Sequence, residues 1–197
     1  MSRITIRAMH AAERDTVAAF IAKGYFDDIF FKWVVPLESE RLAVLTDYYK
    51  VYLGAVGAYI YVAEENGVMV GASVWLPHDA DPAIYDDIDA AAGVFAPHFR
   101  AVADASHESE PKDTAFTQLV GFVTDEAHRG RGIGVALLKA HLDLMDAEGI
   151  PTYLEASTPF HGGGVYGKFG YTLYGPLLTF SPTAVLYPLW RPAGGKP

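Results

Sequence analysis

One stretch constrains this chain more than any other: His128-Arg129-Gly130-Arg131-Gly132-Ile133-Gly134-Val135-Ala136-Leu137-Leu138. The apolar run from Phe116 to Thr124 predicts a strand before it, and Ile133 to Glu148 predicts a helix after it. The glycines therefore fall on a strand-to-helix turn. Glycine has no Cβ and tolerates positive φ, so a ligand can come close to such a backbone. The first turn of a helix leaves N–H groups without partners, and the helix dipole places positive potential there. Together these predict an anion site, to which Arg129 and Arg131 add fixed positive charge. A phosphate or pyrophosphate is the ligand that suits it.

Spacing sorts the known phosphate loops. A Walker loop needs Lys and then Ser or Thr after its last glycine, and neither follows here. A dinucleotide loop needs G-x-G-x-x-G, and Val135 breaks that spacing. The pattern that fits is Arg-x-x-Gly-x-Gly, at Arg129, Gly132 and Gly134.

Composition narrows the partners. The net charge of −9 disfavours nucleic acid and acidic membranes, which select basic surfaces. No stretch approaches the apolar length of a membrane span, and Met1 to Arg7 lacks the apolar core of a signal peptide. Cysteine is absent, which excludes disulfides, Cys-zinc sites and thiol nucleophiles. A cytoplasmic location and no metal are therefore expected.

Ile4 and Ile6 alternate within Ser2 to Arg7, predicting a first strand. His10 to Lys23 predicts a helix with Val17, Phe20 and Ile21 on one face, stopped by Gly24. Tyr25 to Val35 is dense in aromatics that either fill the core or line an apolar pocket. Leu37 to Leu53 predicts a second helix. Tyr59 to Glu64 and Val68 to Leu76 predict a hairpin around Asn66-Gly67. Ala83 to Ala103 predicts helix interrupted at Gly93 and Pro97, and Ser106 to Thr114 an exposed loop. Leu137, Leu138, His141, Leu144 and Met145 predict the buried stripe of the helix after the glycines. Thr152 to Ala156 predicts a strand, Val165 to Tyr171 a short helix ending at glycine, and Thr172 to Phe180 with Ala184 to Trp190 a last pair of strands. Residues 1–191 thus read as one domain with a helical insertion at about 79–114, and 192–197 as a frayed tail. The apolar last strands suit either a monomer or a homodimer edge.

This order, with the loop, resembles the GNAT superfamily of N-acetyltransferases, closest in motif to the puromycin N-acetyltransferase type. The residues that carry the likeness are Trp75-Leu76-Pro77, Ala127 to Gly134, Ala147-Glu148-Gly149-Ile150-Pro151, Leu154-Glu155-Ala156-Ser157, Tyr166 with Phe169-Gly170-Tyr171, and Leu189-Trp190-Arg191. The resemblance implies an α/β fold with a mixed, mostly antiparallel sheet flanked by helices. It implies acetyl-CoA as co-substrate, with its pyrophosphate on Arg129, Gly130, Arg131, Gly132, Ile133, Gly134 and Val135. It implies that backbone groups of Phe122, Val123 and Thr124 pair with the pantetheine arm. A small-molecule amine is the implied acceptor.

Transfer to an amine needs a base for the amine's proton, donors for the oxyanion and an acid for the leaving thiolate. By its place before the Gly-Tyr pair, Tyr166 matches the family's acid. A phenol near ~10 holds its proton at neutral pH and still donates to a nascent thiolate near ~8.5. Glu155, at a strand end, matches a position some members use as base; Glu64, Glu65 and His161 are alternatives, and His128 is expected to face solvent. One departure is that Thr158 to Gly164 contains no Asn, which the family often has there, and ends in three glycines. Two other readings stay open: acetylation of a protein N-terminus or lysine, and a silent module that senses acetyl-CoA.

Overall fold

The computed structural model describes residues 4–195; Ser2 and Arg3 of the expected first strand, and Lys196 and Pro197 of the expected tail, lie outside them. The strands are β1 (Ile4–Ala8), β2 (Tyr59–Glu65), β3 (Val68–Pro77), β4 (Thr117–Thr124), β5 (Thr152–Ala156), β6 (Thr172–Leu173), β7 (Leu178–Thr179) and β8 (Val185–Arg191). The helices are α1 (Arg14–Tyr25), α2 (Ile29–Val34), α3 (Glu38–Leu53), α4 (Ile84–Ala92), α5 (Ala96–Ser109), α6 (Ile133–Glu148) and α7 (Gly164–Lys168). The sheet runs β1-β2-β3-β4-β5-β8-β6, with β7 beside β8, and only β4 and β5 pair in parallel. This is the mixed, mostly antiparallel α/β architecture that the sequence predicts.

The local causes are readable. Asn66 and Gly67 both take positive φ, 54° and 78°, the turn that matches the twist of two paired strands. Helices α1 to α5 pack their apolar side chains on one face of the sheet, around Val62, Ala72, Val74 and Val123. The other face carries α6, with Leu138 and Leu142 against Trp75, Leu119 and Leu154. Buried on both faces, β3 is apolar almost throughout rather than alternating.

Several boundaries differ from expectation. Gly24 does not stop α1, which runs on to Tyr25. A Cβ at Gly24 would sit 2.1 Å from Val123 Cγ1, so this glycine serves close packing of α1 on β4. The aromatic segment contains a helix of its own, α2, capped by the Asp28 carboxylate, which accepts from the Phe30 N–H at 2.9 Å. Gly93 interrupts the insertion as expected, at φ 54°, but Pro97 falls in the first turn of α5, where its missing N–H costs nothing. Helix α5 then continues through Ser106 to Ser109, where a loop was expected. Leu142 rather than Leu144 completes the buried stripe of α6. The expected strand from Thr172 to Phe180 is split by Gly175-Pro176 into two-residue pieces, β6 and β7.

The feature that positions the site is a divergence in mid-sheet. β4 and β5 pair only at Thr117–Leu119 with Thr152–Leu154. The register of β3 with β4 shifts between Val74 and Trp75, leaving Val120 as an extra residue on β4. Such a bulge bends its strand. Beyond it, β4 keeps β3 as partner and presents an open edge toward β5.

Candidate active site

The glycine turn is held from below. The Asp125 carboxylate accepts from the Ala127 N–H at 3.1 Å and meets His128 Nδ1 at 2.7 Å. His128 Nε2 lies 3.5 Å from Glu65, so this ring is half-buried between two carboxylates instead of facing solvent. The His128 bond holds the Asp125 carboxyl below its usual range. Arg131 forms a two-pronged pair with Glu65, one arm at 2.8 Å, and ties the turn to the end of β2. Glu64 is likewise engaged, by Arg7.

Above that anchorage the turn is bare. Gly130 and Gly132 have φ of 76° and 82°, and a Cβ at either would meet no atom within 4 Å. The left-handed backbone, not crowding, requires glycine there. Gly132 caps α6 with no side chain, and the first bond of the helix runs from the Ala136 N–H to the Gly132 carbonyl. The N–H groups of Ile133, Gly134 and Val135 therefore have no partner within the helix, at its positive end. This arrangement suits a diphosphate.

At the open edge of β4, Tyr25 reaches across from α1. Its hydroxyl accepts from the Phe122 N–H at 2.9 Å and donates to the Phe122 carbonyl at 3.2 Å. Burial pushes this phenol up to about 12. Tyr166, on α7, sets its ring 6.1 Å from that of Phe122 and 5.8 Å from that of Tyr171. Tyr171 is buried and shares a 2.7 Å hydrogen bond with Thr152 on β5, which fixes the segment behind Tyr166. Burial raises the Tyr166 hydroxyl above the ordinary phenol value.

Glu155 ends the opposite wall. Its carboxylate accepts from Ser106 Oγ at 2.6 Å and from the Tyr153 hydroxyl at 2.9 Å. Burial pushes its pKa up to about 6, those two hydrogen bonds oppose the rise, and the charge of Glu110 adds to it.

All of this opens on one cavity of about 1080 Å³. Its wall includes Arg129, Gly130, Gly132, Ile133, Gly134 and Val135 from the turn, Phe122, Val123 and Thr124 from β4, and both Glu155 and Tyr166. Of the residues expected at the site, Arg131 lies outside the lining, turned to Glu65. Glu64, Glu65 and the exposed His161 also lie outside it. Sequence reasoning missed Tyr25 as a partner of β4, and Ser106 and Glu110 on the wall. For the last two a signal existed: the helical run continues past Ala103 without glycine or proline until Pro111. Among the described residues no three side chains are grouped so as to hold a metal ion.

A model of the acetyltransferase (GNAT) family matches residues 23–171. No protein of curated function matches the sequence. Among solved structures, a histone acetyltransferase HPA2-related acetyltransferase from Corynebacterium glutamicum is similar at TM-score 0.70 and 19% identity, over 98% of this chain and 97% of its own. A mosquito arylalkylamine N-acetyltransferase like 5b gives 0.59 and 17%, over 96% and 100%. The ribosomal-protein-S18-alanine N-acetyltransferase from Escherichia coli gives 0.57 and 14%, over 97% and 94%. At these identities the structural likeness concerns the fold.

Proposed function

The chain belongs to the GNAT acetyltransferase family, and from that premise we propose that it transfers an acetyl group from acetyl-CoA directly to the amine of a small molecule. The observation that carries this reading is the single cavity whose wall holds the bare glycine turn together with Glu155 and Tyr166. The residues fit the carrier: the turn offers open space beside unpartnered helix N–H groups, and beyond Leu119 β4 has no strand on its β5 side, only the Tyr25 hydroxyl at Phe122. When bound, acetyl-CoA supplies an acyl carbon activated as a thioester.

The chain's own residues supply the rest. Arg129 and the N-terminus of α6 hold the diphosphate. The edge of β4 at Phe122 to Thr124 holds the extended arm, which takes the Phe122 N–H and carbonyl from the Tyr25 hydroxyl, and directs an N–H at the thioester oxygen. Glu155 takes the proton that the attacking amine must lose. A carboxylate raised to about 6 is ionised at neutral pH yet more basic than an ordinary one. Tyr166 keeps its proton until the carbon–sulfur bond breaks and then gives it to the departing sulfur. One nitrogen–carbon bond forms, one carbon–sulfur bond breaks, and each proton has a named donor and acceptor. A route through an acyl-cysteine is closed, because the chain has no cysteine.

The small-molecule acceptor is supported by the walls. Helices α3, α4 and α5 all contribute to the lining, so the insertion stands around the cavity rather than beside an open groove. The motif likeness to the puromycin N-acetyltransferase type points the same way. Structural neighbours act on arylalkylamines and on a ribosomal protein, and so do not choose between acceptors. The test is thiol release from acetyl-CoA with a panel of small amines and of peptides with free N-termini or lysines. Release with small amines is expected. Release with peptides alone replaces this acceptor, and coenzyme binding with no release on any amine indicates a sensor.

A further inference from the structure

Resting on that acetyl-transfer reading, we propose that the acceptor is an amine carried on an aromatic body, with no carboxylate beside the amine. The cavity is sorted by charge. Its lysine and arginine lining residues are Arg129 and Lys168, from the glycine turn and from α7; helices α2 to α5 contribute none. Carboxylates line the other part: Glu155 on β5, Glu110 just past α5, and Asp79 after β3. Asp28 also lines it, its carboxylate accepting from the Phe30 N–H at 2.9 Å and from Ser157 Oγ at 2.8 Å. The bases on that side are His78 and His107, the latter paired with Glu110 at 2.8 Å. Lys112 meets the same carboxylate at 3.4 Å from outside the lining. An ammonium entering beside Glu155 finds negative charge there. An acceptor carboxylate finds no arginine or lysine in this part of the lining and meets the carboxylates of Glu155 and Glu110.

The body of the acceptor is read from the remaining wall. Tyr48, Tyr52 and Phe99 form a ring cluster, with centroids 4.8 Å and 4.7 Å from Tyr48. The Tyr48 hydroxyl donates to that of Tyr52 at 3.0 Å, which ties the two phenols together and leaves their ring surfaces for apolar contact. Phe31, 6.5 Å from Tyr48, and the aliphatic Ile88 and Val102 extend the surface. Aromatic ligands bury large area against such rings and meet their edges and faces favourably.

The experiment compares 2-phenylethylamine, n-butylamine, 1,4-diaminobutane and phenylalanine at fixed acetyl-CoA. Expected kcat/KM for 2-phenylethylamine is at least ~100-fold above each of the others, the size of difference that a missing ring or an unpaired buried charge makes. The Glu110→Gln variant should narrow the kcat/KM gap between 2-phenylethylamine and phenylalanine by ~10-fold. Equal rates for n-butylamine or diaminobutane, or for phenylalanine, overturn the proposal and leave the acetyltransferase reading intact. Calorimetric titration of the same four compounds into CoA-saturated protein decides the matter independently of turnover. The same ranking supports the proposal; no heat from 2-phenylethylamine at millimolar concentration overturns it.

Discussion

The two ends of the cavity are made of different material. At the glycine turn and along β4, the groups offered to a ligand are main-chain N–H and carbonyl groups, placed by a helix start and a strand edge. Around Glu155 the groups are side chains gathered from β5, α3 and α5, some more than a hundred residues apart in sequence. Main-chain groups are placed by secondary structure, so their geometry tolerates changes in neighbouring side chains. A wall of side chains has no such insulation, because each residue type is itself the recognising group. In the proposed reaction one end therefore serves a constant ligand, and the other can be respecialised by substitution.

The comparison predicts unequal sensitivity. The largest effects are expected at the side chains proposed to move protons. Tyr166→Phe should lower kcat by ~10²-fold or more with little change in KM, because an acid is lost and no packing is removed. Near wild-type turnover removes Tyr166 from the reaction. Glu155→Gln should cost ~10² in kcat/KM and abolish the acidic limb of the pH profile. The sign follows from the raised pKa: the wild-type carboxyl is protonated and inactive as a base below about pH 6, so the rate climbs as pH rises through that value. An unchanged limb in the variant clears Glu155.

The main-chain end is broken through conformation. Gly132→Val forces a β-branched residue to φ 82° and should weaken CoA binding by ~10-fold or more, measured by calorimetry. Equal affinity shows that the turn does not grip the carrier. A smaller effect is expected at Tyr25→Phe, which keeps the ring stacked on Tyr49 but frees the Phe122 N–H and carbonyl. Coenzyme A, whose arm would claim those groups, should bind ~3- to 10-fold more tightly, the worth of about one hydrogen bond. ADP, which lacks the arm, should bind unchanged; a shift in both points to altered packing instead. Thr124→Ala should change CoA affinity by less than ~3-fold, since only backbone is used there.

The same division explains what was legible. Ile133 to Glu148 and Thr152 to Ala156 were bounded to the residue from periodicity and glycine punctuation, and the turn between β4 and α6 followed from spacing alone. Boundaries failed where tertiary contact overrode local signal. Gly24 reads as a stop but lies in a helix, because Val123 leaves no room for a Cβ. Ser106 to Ser109 reads as a loop because its side chains are polar, yet Ser106 is polar for Glu155. Arg131 reads as a phosphate ligand beside Arg129, and nothing local reveals that Glu65, sixty-six residues earlier, takes it. The bond between Tyr25 and Phe122 spans ninety-seven residues and could not be seen at all.

The short pairing of β4 with β5 has a mechanical side. With three rungs between them, β1 to β4 and β5 to β8 are two plates joined along a brief seam. A molecule lodged in the notch that touches both plates acts as a strut. Its binding should stiffen the seam as well as fill the space, so that amide exchange slows at Leu119 and Leu154, at the last rung, more than in the distant β1–β2 ladder.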